Sequence, residues 1–216
     1  LGAWLASGLG LAGTTLVAAA DFALGGPARA ASGLSGPQVA EFYDLNDFVD
    51  QACLPTANLV TITVHKDGTA SFALPRSENG QGITTSTAMI IAEELELPVR
   101  KVKVTLADAR PELMFNQLTG GSTTTTSTYA PIRVAAAVAK GALLEAAAIM
   151  LGAQVGDLVA RGGVVQAPGG RRATYGELAH AAAARHSRQV GVRLKDPSAF
   201  RVIGVGQNRV DAEDAV

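Results

Sequence analysis

Residues 59–74 read LVTITVHKDGTASFAL, and this stretch decides the fold. Val60, Ile62 and Val64 alternate with Thr61, Thr63 and His65, and Ala70, Phe72 and Leu74 alternate with Ser71 and Ala73. A period of two is the signature of a half-buried strand. Asp67-Gly68 between the arms predicts an antiparallel hairpin closed by a two-residue type I′ turn. His65 falls on the polar face, as a solvated strand histidine.

Downstream, SENGQG (77–82) leads into a run with Ala88, Ile91, Ala92 and Leu95 at helical spacing, so Thr84–Leu97 is predicted helical and stopped by Pro98. Glu93 and Glu94 read most simply as a solvated face of that helix, while Glu78 is placed to orient the loop. Val102, Val104 and Leu106 alternate as another strand, with Asp108 in the loop after it. Residues 119–129, TGGSTTTTSTY, form a low-complexity hydroxyl run before a long Ala-rich helix. Pro131 suits the first turn of that helix and Gly152 its end. It carries only Arg133, Lys140 and Glu145 as charges, which predicts burial between layers. A short hairpin is expected over 159–165 around Gly162-Gly163. Thr174-x-x-Glu177 reads as a capping box ahead of a helix over 178–185. The order implies an α+β fold: a mixed sheet with a β-hairpin packed against two or three helices, one long and buried.

Composition narrows the functions. The 216 residues carry a formal net charge of −1, are 48% hydrophobic and 17% charged, and include 24 glycines. This is too apolar for intrinsic disorder and has no basic footprint, so nucleic acid is not an expected partner. The single cysteine, Cys53, excludes an internal disulfide, a thiolate zinc site and an iron–sulfur cluster within the chain. His65, His180 and His186 have no metal-ligand spacing, and no Ser-His-Asp or Cys-His set is visible.

The ends read as follows. Leu1–Ala20 is uncharged and mildly hydrophobic, and Ala28-Arg29-Ala30 follows as an A-x-A pattern. Residues 1–30 therefore read as an export signal whose positive region lies upstream, of the twin-arginine kind. The competing readings are an apolar helix packed on the domain and a membrane anchor. Residues 31–54 are an irregular lead-in with a short amphipathic helix at 44–52. Residues 191–216 read as a linker toward a further domain.

Two loops have the chemistry of an anion site. Gly80-Gln81-Gly82 precedes a helix, where N–H groups and the positive end of the dipole meet. Gly120, Gly121, Ser122, Thr123 and Thr124 repeat that logic with hydroxyls added. Each has a plainer reading, as a tight turn or as a polar loop whose Ser127 or Thr128 caps the helix. Two such loops together favour one phosphate-bearing ligand held on one face. Neither is a Walker A loop or a dinucleotide fingerprint.

ENGQGITTSTAMIIAEELELPVRKVKVTLADA, LTGGSTTTTSTY, TYGELA (174–179) and LKDPSAFRVIG (194–204) together resemble the molybdopterin-binding large subunits of the xanthine dehydrogenase family, in particular the isoquinoline 1-oxidoreductase branch. The resemblance makes 55–190 the N-terminal part of a molybdopterin-binding domain that precedes a hammerhead domain. It implies a molybdenum cofactor, in its cytosine dinucleotide form, contacted by Gly80, Gln81, Gly82, Gly120, Gly121, Ser122, Thr123 and Thr124. It implies oxidation of small aldehydes or hydroxylation of N-heterocycles with oxygen from water. It also implies a small partner subunit carrying iron–sulfur clusters, the remaining domains of the same subunit, and an exported, periplasmic and possibly membrane-associated protein. The family's catalytic glutamate belongs to a later domain, so this chain alone is expected to be inactive. The alternative is a truncated or non-catalytic anion-binding module.

Overall fold

The computed structural model describes residues 61–108, 117, 119–183 and 193–213, together with the backbone of a strand at 16–19. The helix expected at 44–52, Cys53, His186 and most of the proposed export signal lie outside the described residues. Strand β1 (Leu16–Ala19) falls within the segment 1–30 and pairs antiparallel with β2 (Thr61–Val64). β2 pairs antiparallel with β3 (Ala70–Leu74), with Ile62 opposite Phe72 and Val64 opposite Ala70. Helix α1 (Ile83–Leu95) then carries the chain over to β4 (Val102–Leu106), which runs parallel to β3. The sheet order is β1-β2-β3-β4, a mixed sheet as expected. Ile62, Val64, Ala70, Phe72, Leu74 and Val102 form its buried face, as their spacing of two requires.

The β2–β3 turn differs from the expected type. His65 N–H donates to Thr69 O at 2.8 Å and Gly68 N–H to His65 O at 2.9 Å. The loop is therefore the three residues 66–68, with Gly68 at φ 77°, a type I turn followed by a left-handed bulge residue. Asp67 favours this form because its carboxylate accepts from both the N–H and the hydroxyl of Thr69.

Helix α2 (Thr124–Leu151) begins seven residues before Pro131, inside the hydroxyl run. Thr126 Oγ1 donates to Thr123 O, and Ser127 Oγ and Thr128 Oγ1 both donate to Thr124 O. Ser127 and Thr128 thus serve the interior of the first turns and cap nothing. Ile132, Ala135, Ala136, Ala139, Leu143, Ala146 and Ala147 give α2 its buried stripe, and α1 packs against it. The stripe surfaces at the far end, where Ile149 and Met150 are exposed.

A second, antiparallel sheet holds β5 (Val159–Arg161), β6 (Val164–Gln166) and β7 (Arg172–Thr174). The third strand was not legible in the sequence. The expected capping box forms: Glu177 Oε2 accepts from Thr174 N–H and Oγ1 at 2.7 Å each. It opens α3 (Tyr175–Ala183), whose Tyr175 hydroxyl donates to Leu95 O at 2.8 Å.

Glu93 and Glu94 are not on a solvated face; their side chains are fully buried. The cause is the C-terminal segment 193–213, which lies along α1. Arg201, Val202 and Ile203 N–H all donate to Glu93 Oε2, at 2.9, 2.6 and 2.9 Å. Lys195 Nζ pairs with Glu93 Oε1 at 2.5 Å. Glu94 accepts from Arg133 Nε at 2.6 Å and Lys195 N–H at 3.1 Å. Arg133 lies against the Tyr129 and Phe200 rings. Burial pushes the Glu93 carboxyl up, but Lys195 and the three N–H groups outweigh it and hold it below the usual glutamate value.

Two predictions follow from this packing. A Cβ at Gly176 would fall 1.9 Å from Lys66 O, whereas one at Gly206 meets nothing within 4 Å. Gly176→Ala should cost about 1–3 kcal/mol or more in urea unfolding, and Gly206→Ala should sit close to the parent. Glu93, with its lowered folded pKa, contributes stability that is complete above the ordinary value of 4.5 and is lost as pH falls through the folded value. Glu93→Gln, which takes from Lys195 one of its two ion-pair partners and leaves it Glu96 at 3.0 Å, should cost about 1–3 kcal/mol at pH 7, less than a fully unpaired buried charge would. The gap from the parent should narrow below about pH 4.5; a gap that is constant from pH 7 to pH 3 would contradict this.

Candidate functional site

The two glycine loops meet. Ser77 N–H, at the head of the first, donates to Thr119 Oγ1, at the head of the second, at 2.8 Å. Between them lies a cavity of about 390 Å³ lined by Asn79, Gln81, Ile83 and Ser86 on one side and Thr119, Gly120, Ser122, Thr124 and Thr125 on the other. Among the described residues, no carboxylate and no ammonium group lines it. Of the eight residues singled out in the sequence, Gln81, Gly120, Ser122 and Thr124 face the cavity. Gly80, Gly82 and Gly121 shape its walls with φ of 96°, 77° and 59°. Thr123 sits beneath, buried, with Oγ1 donating to Gly120 O at 2.8 Å.

The two helix N-termini behind these loops are not equivalent. At α1, the Glu78 carboxylate has folded back onto the dipole. Its Oε1 accepts from Gly80 N–H at 2.8 Å and Gly82 N–H at 3.0 Å, and its Oε2 from Thr84 N–H at 3.3 Å. Burial pushes Glu78 up, but these N–H groups and the Thr84 hydroxyl hold it below the usual glutamate value. The expectation of free N–H groups in the Gly80–Gly82 loop is thus corrected for Gly80 and Gly82: an internal carboxylate already answers them. Gln81 acts as a staple, its Nε2 donating to Ser77 O at 2.8 Å and its Oε1 accepting from Asn79 N–H at 2.5 Å.

At α2 the N-cap residue, Thr123, makes no side-chain cap hydrogen bond. The N–H groups of its first turn, Thr124 to Thr126, have no carbonyl one helical turn back to accept them. Thr124 and Thr125 of that turn line the cavity, so those donors and the positive end of a 28-residue helix open toward it. Gly121 and Ser122 are both left-handed at φ 59°. That conformation is ordinary for glycine and costs a serine roughly 1–2 kcal/mol. Strain of this kind is typical of loops shaped around a ligand. Behind the first turn, the buried Arg76 guanidinium reaches Ser127 Oγ at 3.4 Å.

Another cavity, of about 470 Å³, lies at the opposite end of α2, lined by Ile149, Gly152, Asp157 and Arg171 among others. It sits at the negative end of the helix, where an anion is disfavoured. The hydroxyl-lined cavity is therefore the better anion site. Among the described residues, no group of three or more His, Cys, Asp or Glu side chains is placed to hold a metal ion.

The chain is similar to several known proteins. A family model described as a molybdopterin cofactor-binding domain matches residues 32–212. The chain is 36% identical over 126 residues to isoquinoline 1-oxidoreductase subunit beta of Brevundimonas diminuta, covering 55% of this chain and 16% of that protein. It is 30% identical over 159 residues to a membrane-bound aldehyde dehydrogenase [pyrroloquinoline-quinone] of Gluconacetobacter polyoxogenes, covering 72% of this chain and 20% of that protein. The chain thus spans a fifth or less of the length of these relatives. Among solved structures, the reconstituted CO dehydrogenase from Oligotropha carboxidovorans matches with a TM-score of 0.49 and 28% identity, covering 64% of this chain and 18% of that one.

The contrast between the two helix starts is testable. Glu78→Ala should raise amide hydrogen exchange at Gly80, Gly82 and Thr84 and cost about 0.5–2 kcal/mol, as loss of a helix cap does. Exchange at Thr124–Thr126 should stay as in the parent.

Proposed function

Because the chain belongs to the molybdopterin cofactor-binding domain family, we propose that the cavity between its two loops holds part of a molybdenum cofactor, with a cofactor phosphate seated on the start of α2. The observation that carries this reading is the pairing of a helix N-terminus without a side-chain cap bond from its N-cap residue with a cavity that, among the described residues, is lined by hydroxyls, amides and glycine and free of carboxylates. Neutral donors aimed at one point suit a phosphate, which would be repelled by a carboxylate wall.

The cofactor, when bound, supplies the redox chemistry of a hydroxylation in which water provides the oxygen. This chain's own residues bind and orient. Ser122, Thr124 and Thr125 offer hydroxyls to phosphate oxygens, and the N–H groups of α2's first turn add charge-assisted hydrogen bonds. Gly120 and Gly121 let the backbone approach. The Gln81 amide keeps the opposite wall in shape by tying Ser77 to Asn79. Because α1 and α2 are fixed against each other in the core, the donors are held in place before ligand arrives.

The finer reading is the following. The cofactor is the cytosine dinucleotide form, whose pyrophosphate suits the row of donors at the start of α2. The chain is the N-terminal cofactor-binding part of a large subunit acting on small aldehydes or N-heterocycles, the classes after which the two relatives above are named. The catalytic glutamate lies in a later domain, so residues 1–216 alone are inactive. Electrons leave through a separate small subunit carrying iron–sulfur clusters. The uncharged segment and the Ala28–Ala30 pattern support export by the twin-arginine route, which carries folded proteins with their cofactors. Paired arginines just upstream of Leu1 and a periplasmic protein are expected; a reading frame without them, with protein only in the cytoplasm, counts against export.

In the complete subunit, Gly121→Val should abolish most cofactor binding, read as molybdenum and released cytidine monophosphate per protein. A Val side chain both blocks the approach and is strained at φ 59°. Gln81→Ala should lower the same content less, by removing hydrogen bonds of about 0.5–1.5 kcal/mol each. Full cofactor content in Gly121→Val would overturn the reading.

A further inference from the structure

The segment 193–213 touches α1 twice. Its first half is fixed at Glu93 and Glu94, and its second half ends on the loop that walls the cavity. Arg209 Nη1 donates to Gly80 O at 3.0 Å. The same guanidinium grips Asp211 with two parallel bonds, Nε to Oδ1 and Nη2 to Oδ2, each 2.8 Å, and stands 3.7 Å from Glu78 Oε1. Thr84 Oγ1 lies 3.2 Å from both Glu78 Oε2 and Asp211 Oδ2. Val210 N–H donates to Thr85 Oγ1 at 3.0 Å. Residues 209–211 thus form a clasp over the start of α1, and the loop's own carboxylate, Glu78, is part of it.

The clasp fixes one peptide plane. In a trans peptide the carbonyl and the following N–H point in opposite directions. With Gly80 O held by Arg209, the Gln81 N–H is turned away from the clasp. Glu78 takes the N–H groups of Gly80, Gly82 and Thr84. The Gln81 N–H finds no acceptor among the described residues, and Gln81, like Asn79 of the same loop, lines the cavity. Of the five N–H groups at 80–84, those of Gln81 and Ile83 are left over, and the direction of the first is the one Arg209 sets.

We propose that Arg209 and Asp211 are positioning residues for the cavity: they orient the Gly80–Gln81 peptide so that the Gln81 N–H is presented as a donor to a phosphate-bearing ligand. The role as a ligand donor rests on the cofactor reading above; the ordering of the loop does not. Arg209 is suited to the task because its planar fork holds Asp211 in a fixed geometry while one nitrogen stays on Gly80 O. A lysine keeps the charge but gathers its donors on a single nitrogen and cannot make the paired bonds. The clasp also makes the loop's geometry depend on the C-terminal segment being docked.

The test uses the 216-residue chain, its Arg209→Met, Arg209→Lys and Asp211→Asn variants, amide hydrogen exchange, and titration with inorganic pyrophosphate followed by the Gln81 amide resonance. Unchanged protection in the middle of α2 identifies the folded variants. Arg209→Met should raise exchange at Gly80, Gly82 and Thr84 at least tenfold and weaken pyrophosphate at Gln81 severalfold. Arg209→Lys and Asp211→Asn should raise exchange to a similar degree, because the charge of Arg209 alone does not set the peptide plane. If Arg209→Lys equals the parent in both readouts, the residue acts by charge and the positioning role is overturned. If exchange at 80–84 is unchanged in all three variants, the clasp does not order the loop and the proposal fails. If exchange rises as expected while pyrophosphate leaves the Gln81 amide of the parent unmoved, the loop-ordering half stands, and it is the phosphate-site reading that is overturned.

Discussion

Glu78 decides which of the two loops can serve as an anion site. A carboxylate five residues ahead of α1 has closed onto N–H groups at 80, 82 and 84, supplying the negative charge that the helix start attracts. The same kind of helix start at α2 has no such internal partner. The sequence motifs look alike, yet one loop has an internal carboxylate on three of its N–H groups and the other is an open cradle. The cavity between them takes its shape from the first and its affinity for an anion from the second. A phosphate reaching α1 would have to displace Glu78 and break up to four hydrogen bonds at once, whereas at α2 it meets donors already desolvated on one side.

The other dependence runs through α1's far end. Glu93 and Glu94 are buried acids whose partners arrive about a hundred residues later, from 195–203. A buried carboxylate is tolerable only when fully answered, and here three consecutive backbone N–H groups and a lysine answer Glu93. The docked segment then reaches the other end of α1 at Thr84 and Thr85. One helix therefore ties the core, the cavity wall and the C-terminal segment together. A change in how the segment sits is felt at the loop without any change in the loop's own sequence.

Much of this was legible in local pattern. The alternation in β2, β3 and β4, the Gly162-Gly163 hairpin, the capping box at Thr174 and the existence and C-terminal end of the long α2 helix are short-range signals, and the structure has each of them. Both glycine loops, and their closeness, followed from two helix starts needing the same ligand chemistry. What escaped was non-local or locally ambiguous. The roles of Glu93 and Glu94 depend on partners such as Lys195 and Ile203, which no spacing within α1 reveals. β7 is three residues long and has no period to detect. The start of α2 was hidden because threonine is a weak helix former, and Pro131 imitates a first-turn residue although the helix runs through it. The β2–β3 turn was read one residue too short because Asp-Gly suits both a two-residue loop and a three-residue loop ending in a left-handed glycine.

The most direct measurement is an experimental structure of the complete subunit with cofactor bound, read at one place: the hydrogen-bond partners of the cofactor's phosphate oxygens. The account predicts phosphate oxygens within about 3.2 Å of the backbone nitrogens that open α2, at Thr124–Thr126, with the Glu78 carboxylate still bonded to Gly80 and Gly82. A phosphate found on the Gly80 and Gly82 nitrogens with Glu78 swung away, or one bound at neither helix start, would contradict it.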